Sequence, residues 1–321
     1  MGTPQRVLVL GSNGLVGSSC VRMFSNLDSY EVVKSTRQDT NLFSFDETKK
    51  LIEEKKPDIL INAAAKVGGI HANNTQRVEF LIENLKINTN VLEACLNYSN
   101  ITIINLGSSC IYPLNAKDPI KESNFMEGKL EPTNSPYAMA KLTAIELGRS
   151  LALQYGHKVI NLMPTNLYGP NDNFHSTNSH FLPSLIKKFH SSKIGKKKAV
   201  EVWGSGKAKR DMMYVYDLAD AISFLLEKLL RGDKKLNKII KKTSFINVGT
   251  GIEHTVKFFV KMIQKVINPN AKVQFNLNYP DGTPRKLLNS QTMKNLGWKP
   301  KTSFEIGLNK TYQWYIKRKK K

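Results

Sequence analysis

Tyr137 and Lys141 stand four residues apart, behind a segment that brings Ser108, Ser109 and Cys110 to the end of an apolar stretch. Residues four apart share one face of a helix. On such a face an ammonium lowers the pKa of a neighbouring phenol from about 10 toward the working pH. A phenol so tuned gives a proton to a carbonyl oxygen or takes one from an alcohol. Ser135 is placed to cap this helix, and Pro136 suits its first turn. Tyr-x-x-x-Lys arises by chance in many helices, and a core tyrosine beside a surface lysine leaves the same trace. What gives the pair meaning here is the strand end before it, Asn105–Pro113 (NLGSSCIYP), which presents two hydroxyls and a thiol.

The chain has 321 residues, 40% of them hydrophobic, enough for one large core or two modest ones. No apolar run reaches membrane-spanning length, and Val7–Leu10 is too short for the apolar region of a signal peptide. Three cysteines, Cys20, Cys95 and Cys110, suggest no disulfide framework and hence a reducing, cytoplasmic compartment. No metal and no membrane partner is expected. The net charge of +22 is concentrated in Lys193–Lys198, Lys234–Lys242 and Lys317–Lys321. These runs read as loops and a tail without interleaved aromatics, so they describe a solvated surface and no specific nucleic-acid partner.

The elements that must position the pair follow in order. Arg6–Leu10 reads as a buried strand entering Gly11-Ser12-Asn13-Gly14-Leu15-Val16-Gly17, with a helix from about residue 15 to 26. Such glycines permit a tight turn and close backbone approach to a pyrophosphate, which a helix N-terminus attracts. A second strand, 31–34, ends in Ser35-Thr36-Arg37 with no acid to accept from a ribose 2′-hydroxyl; Asp39 is the nearest. Lys34 and Arg37 instead suit a 2′-phosphate, pointing to NADP(H). A helix at 46–54, a strand at 59–61, a glycine-loosened loop at 66–70, a helix at 80–98 and the strand from Ile101 continue the alternation. After the helix at 136–155 come a strand at 159–163 and the turn-rich PTNLYGPNDNF. The fold class is α/β: a Rossmann-type doubly wound parallel sheet with its ligand site at the carboxyl ends of the strands. Residues 1–165 and 211–250 are assigned to that domain. Residues 166–210 and 251–321 are assigned to a smaller, discontinuous α/β substrate-binding domain.

Several longer stretches carry a resemblance: Ala63–Ile70 (AAAKVGGI), Leu106–Pro113, Glu131–Asn134, Met163–Pro170, Asp172–His175, Val202–Gly206 and Pro280–Lys286. Over nearly its whole length the chain resembles the GDP-L-fucose synthases, NADPH-dependent epimerase–reductases of the extended short-chain dehydrogenase/reductase family that act on GDP-4-keto-6-deoxy-D-mannose. The resemblance implies that Cys110 is the base and His180 the acid for inversion at C3 and C5. It implies that Tyr137 protonates the C4 oxygen after hydride transfer, that Lys141 lowers the Tyr137 pKa and holds the nicotinamide ribose, and that Ser108 hydrogen-bonds the C4 oxygen. Cofactor contacts map onto Gly11 to Gly17, Arg37, Leu106, Gly107, Ser108, Ser109, Lys141, Pro164, Thr165, Asn166, Leu167 and His180. Substrate contacts map onto Lys188, Trp203, Arg210 and Asp281, the first and third suiting a diphosphate. A homodimer through the helices at 80–98 and 136–155 is also implied. Some members carry an arginine in the first glycine loop where this chain has Ser12 and Asn13, so NADP preference leans on Arg37.

Each residue has a plainer reading: a small cysteine at a strand end, a solvated histidine, a core tryptophan at 203. Three other functions compete. A 4-epimerase of the same superfamily needs no Cys110/His180 pair, and a 4,6-dehydratase wants a carboxylate where Ser-Ser-Cys stands. A non-catalytic cofactor-sensing protein would often lack the tyrosine or lysine that this chain keeps.

Overall fold

The computed structural model describes residues 3–175, 179–195, 199–243, 245–279 and 281–319. Pro280, Lys196–Lys198 and Lys320–Lys321 lie outside the described residues. The first half runs β1 (Gln5–Leu10), α1 (Leu15–Phe24), β2 (Tyr30–Ser35), α2 (Phe45–Lys55), β3 (Ile59–Asn62), α3 (Ile70–Thr75), α4 (Arg77–Ala94) and β4 (Thr102–Leu106). It continues through α5 (Ser135–Tyr155), β5 (Lys158–Pro164), β6 (Asn166–Tyr168), α6 (Phe181–Lys193), β7 (Ala199–Trp203) and β8 (Lys209–Tyr214). Then come α7 (Val215–Leu230), α8 (Lys234–Thr243), β9 (Phe245–Val248), β10 (Glu253–Thr255), α9 (Val256–Ile267), β11 (Lys272–Asn276), β12 (Arg285–Lys286), α10 (Gln291–Leu296) and α11 (Phe304–Lys319).

Six strands form one parallel sheet in the order β2-β1-β3-β4-β5-β9. Strand order reverses at β1, which opens a crevice at the carboxyl ends of β1 and β3, the place where such sheets bind ligands. Strand alternation sorts the core into two layers. Val7 and Val9 pack with Cys20 and Phe24 of α1 and with α7, whereas Leu8 and Leu10 face Leu51 and Ile52 of α2 and Val91 and Leu92 of α4. Met293, Leu296 and Trp298, from α10 and the residues after it, return to the first of these layers. A separate core gathers α6, β7, α9 and α11 around Phe189, Phe259 and Tyr312.

Three buried asparagines stand in register across β3, β4 and β5. Asn105 Nδ2 donates to Asn161 Oδ1 at 2.9 Å, and Asn62 Nδ2 donates to Asn88 Oδ1 on α4 at 3.2 Å. Buried amides are stabilising only when they find partners. Here they lock the strands side by side just below the ends that carry the site.

Two local expectations are corrected. The lysine run at 234–242 is a helix, not a loop: Asp233 receives the Leu236 amide at 2.8 Å, Leu236 is buried, and Ile239 and Ile240 pack on the core. Its lysines face solvent. Ser135 is the first residue of α5 and Asn134 precedes it as the N-cap, because Glu131 holds the Thr133 and Asn134 amides at 3.2 and 3.1 Å. The loop expected at 66–70 is present as far as Gly69, and α3 begins at Ile70.

The glycine loop is held by steric necessity. Gly11 has φ +69°, and a Cβ on Gly17 would lie 2.2 Å from the Gly11 carbonyl oxygen. Gly17→Ala is therefore expected to lower stability by about 1–3 kcal/mol, measured by chemical denaturation. Gly14→Ala, whose Cβ would meet only the Gly11 oxygen at 3.3 Å, should cost clearly less.

Candidate active site

The turn after β1 delivers the chain to α1, whose first turn holds no acidic side chain and whose N-cap, Gly14, makes no side-chain capping bond. Its N-terminal amides thus favour an anion. Gly11 sits against Ala63 and Ala64 at the end of β3, so a backbone cradle forms that a Cβ would fill. Within it, Ser12 is buried and turned away, donating through both its amide and its Oγ to the Ser35 carbonyl at 3.1 Å. Asn13 is exposed, Leu15 and Val16 begin α1, and Gly17 packs beneath the turn. Arg37 is exposed just beyond β2. Asp39 is engaged elsewhere, accepting from the Thr36 amide at 2.8 Å and the Thr36 hydroxyl at 2.7 Å, which holds its carboxyl below the usual range. A cradle with an exposed cation and an occupied acid fits a 2′-phosphorylated dinucleotide.

At the end of β4, Lys141 is buried, only 2% exposed, and its ammonium donates to the Leu106 carbonyl at 2.7 Å. Burial lowers its pKa to about 8, opposed by the Cys110 thiol nearby. Gly107 donates its amide to Leu162 on β5. Ser108 then caps the short 3-10 turn Ser109–Ile111, accepting from the Cys110 amide at 3.4 Å. Its hydroxyl lies beside both the Cys110 thiol and the Tyr137 phenol and lowers the pKa of each. One short turn therefore brings Ser108, Cys110, Tyr137 and Lys141 together.

The electrostatics of Tyr137 differ from the expectation. Lys141 lies 5.9 Å from the ring centre with its hydrogen bond directed to Leu106, and desolvation dominates. Burial raises the phenol above its ordinary value, as does Cys110, while the Ser108 hydrogen bond lowers it. The phenol thus stays protonated. Burial also raises the Cys110 thiol, and the forces opposing this are Lys286, the Ser108 hydrogen bond and Lys141, in that order.

Beyond β5 the side chains expected at a cofactor act largely as braces. Pro164 ends β5 beside Val248, and Leu167 packs on the first core. Thr165 Oγ1 and Asn166 Nδ2 donate to the Asp211 carbonyl at 3.1 and 2.9 Å. Their contribution to any ligand is therefore through backbone and shape. His180 is the N-cap residue of α6 and makes no side-chain capping bond. His180 is an exposed residue, and desolvation by the surrounding protein lowers the pKa of its ring.

The remaining cluster lies on the second core. Lys188 of α6 donates to the Glu201 carbonyl at 2.8 Å, with its ammonium 5.2 Å from the Trp203 ring centre. Trp203 stacks on Tyr279. Arg210 donates to the Lys209 carbonyl at 2.7 Å; burial lowers its pKa and Asp281 raises it. Asp281 faces the Gly204–Gly206 turn, accepting from the Ser205 amide at 2.7 Å and the Ser205 hydroxyl at 2.6 Å. It shapes the loop beside Arg210.

A profile of the NAD dependent epimerase/dehydratase family matches residues 7–240. The chain belongs to that family. GDP-L-fucose synthase 1 of Arabidopsis thaliana is 41% identical over 312 residues, which span 97% of this chain and 93% of the relative. GDP-L-fucose synthase of Escherichia coli is 41% identical over 312 residues, 97% of each chain. Among solved structures, a GDP-D-glycero-L-gluco-heptose synthase from Campylobacter jejuni, determined with NADPH, superposes with a TM-score of 0.90 at 29% identity, covering 98% of this chain and 99% of that one.

In this epimerase/dehydratase chain one site residue escapes sequence reasoning. Lys286 sits on β12, paired in register with Arg210 of β8, and its strand is stitched to the segment after Cys110. The Ile120 amide donates to Leu287 at 2.7 Å and the Leu287 amide to Asp118 at 2.8 Å. This places the Lys286 ammonium beside Cys110 across a long sequence gap, so no local pattern signals it. The proximity has a readable consequence. Lys286→Met should move the alkylation of Cys110 by iodoacetamide to higher pH, because a lost cation leaves the thiolate less stable, whereas Lys286→Arg should restore the profile. Cys20 and Cys95, pushed up to about 12 by burial, should stay silent below that range. Lys141 titrates lower in the folded chain (about 8) than its ordinary 10.5, so the unfolded chain binds more protons between those values. Stability of the parent relative to Lys141→Met is therefore expected to rise as pH climbs from 8 toward 10.5, measured by denaturant melts.

Proposed function

We propose that this chain is a GDP-L-fucose synthase that inverts C3 and C5 of GDP-4-keto-6-deoxy-D-mannose and then reduces C4 with NADPH. The observation carrying this reading is the convergence of Ser108, Cys110, Tyr137 and Lys141 at the end of β4, anchored by the Lys141–Leu106 bond, with Lys286 brought toward Cys110 from β12. Relatives about 41% identical over nearly the full chain, each a GDP-L-fucose synthase by name, support it. NADPH supplies the hydride. The Gly11–Gly17 turn, Arg37 and the strand ends at 106–109 and 164–167 would hold it.

A 4-ketone acidifies the hydrogens on both neighbouring carbons. In this reading Cys110 takes each proton as its thiolate: burial makes that thiolate a strong base, and Lys286 and Lys141 offset the cost of forming it. His180 returns a proton on the opposite face, and its lowered pKa makes the imidazolium a stronger acid. Ser108 and Tyr137 donate to the developing enolate oxygen. When the C4 oxygen becomes an alkoxide, Tyr137 gives up its proton; its raised pKa keeps it loaded for that step. Lys141 holds the strand end and, from there, the nicotinamide ribose.

Lys188 and Arg210 serve the diphosphate and Trp203 the nucleoside, with Asp281 ordering their loop. In this reading residues 1–165 and 211–250 form the cofactor unit and 166–210 and 251–321 the substrate unit, except that Met293, Leu296 and Trp298 pack back on the core of the cofactor unit. The active form is a cytoplasmic homodimer assembled through α4 and α5, where Val78, Ile82 and Met139 are exposed.

The test is NADPH consumption with GDP-4-keto-6-deoxy-D-mannose in deuterated water. The parent should yield GDP-L-fucose with deuterium at C3 and C5. Cys110→Ser should lose deuterium incorporation by about 100-fold or more while binding NADPH normally. A parent that oxidises no NADPH with this sugar would sink the reading.

A further inference from the structure

The loop between β3 and α3 exposes two large apolar side chains, Val67 at 55% and Ile70, the first residue of α3, at 63%. Single aliphatic groups on a surface are ordinary; a pair of them beside a site is informative. Their backbone is fixed from behind. The Lys66 amide donates to Asn84 Oδ1 and Asn84 Nδ2 donates back to the Lys66 carbonyl, each at 3.0 Å. The Lys66 ammonium pairs with Glu83 at 2.7 Å. Asn73, buried on α3, donates to the Gly68 and Gly69 carbonyls at 2.8 and 3.1 Å. These three polar side chains hold the loop, and it turns Val67 and Ile70 outward.

The two ends of the loop identify what it borders. At its start, the Lys66 ammonium lies 5.8 Å from the Phe80 ring centre, and Phe80 meets Tyr137 edge-on with ring centres 6.3 Å apart. At its end, Ile70 Cδ1 lies 3.4 Å from the point that a Cβ on Gly282 would occupy, and Arg210 Nη2 lies 3.7 Å from the same point. The loop therefore runs from the neighbourhood of the phenol to that of the cation assigned to the diphosphate.

We propose that Val67 and Ile70 form the wall that reads the C6 methyl group of the sugar. The inference rests on the GDP-sugar function proposed above, in which Ser108 and Tyr137 take the C4 oxygen and Arg210 the diphosphate on C1. A pyranose held at C1 and C4 has two free edges. One carries the oxygens on C2 and C3; the other carries the ring oxygen, C5 and the C6 methyl. An aliphatic rim suits the second edge, because it gains by covering a methyl and leaves a 6-hydroxyl without a hydrogen-bond partner. Val67 and Ile70 are specificity residues that touch substrate and move no proton or hydride.

Calorimetry on the protein loaded with NADP+ compares GDP-L-fucose with GDP-L-galactose, which differs from it only by a hydroxyl on C6. The parent should favour GDP-L-fucose about tenfold, since an apolar wall rejects an added hydroxyl only modestly. Ile70→Asn should bring the two ligands within about twofold of each other, and Ile70→Val should keep the parent's preference. Affinity for GDP alone should be the same in all three proteins, which reports that each is folded with its diphosphate site intact. A parent that binds both sugars equally, or a preference that Ile70→Asn leaves whole, would overturn the methyl wall alone. A parent that binds neither sugar nor GDP would overturn the GDP-sugar reading along with it.

Discussion

The 2.7 Å hydrogen bond from the Lys141 ammonium to the Leu106 carbonyl holds the site together. It joins the helix that carries Tyr137 to the strand end that carries Ser108 and Cys110. An ammonium buried this fully is costly to desolvate, and one good acceptor compensates only in part. Its depressed pKa is the measure of what remains. The cost is tolerated because the bond fixes the distance between a phenol, a hydroxyl and a thiol that come from different elements.

Burial is the dominant force on every titratable group in the cluster. It raises Tyr137 and Cys110 and lowers Lys141 and Lys286, so each group is pushed toward its neutral form. Against it work the mutual attraction of thiol and ammonium, the influence of Ser108 on Cys110 and Tyr137, and the carboxylates Glu131 and Asp118 on Lys286. The arrangement is poised: a proton leaving Cys110 converts two strained cations into partners. Tyr137 has no comparable counter-charge, so its phenol stays protonated.

The second constraint is the strap from Asp281 to Asn289. It is stitched to β8 through Lys286 and Arg210, to the segment after Cys110 through Ile120, and to the β7 turn through Ser205. It therefore couples the thiol, Arg210 and the turn that follows Trp203 in one short piece of chain. A change in any of its anchors would be felt at all three places.

Much of this was legible in residues alone. Periodicity and glycine spacing determine the alternation of strands and helices, because each element must bury its own apolar face and the turn after β1 admits no Cβ at Gly11 or Gly17. The Tyr137–Lys141 pair and the hydroxyl-rich strand end are local patterns, readable for the same reason. The lysine run at 234–242 misled because charge hides helical phase: Leu236, Ile239 and Ile240 are three apolar positions among many lysines. The direction of the Tyr137 shift, the inward turn of Ser12, the Ser205 grip on Asp281 and the arrival of Lys286 beside Cys110 were decided only by tertiary structure. Each depends on burial or on contacts between segments far apart in the chain, and neither has a sequence period to announce it.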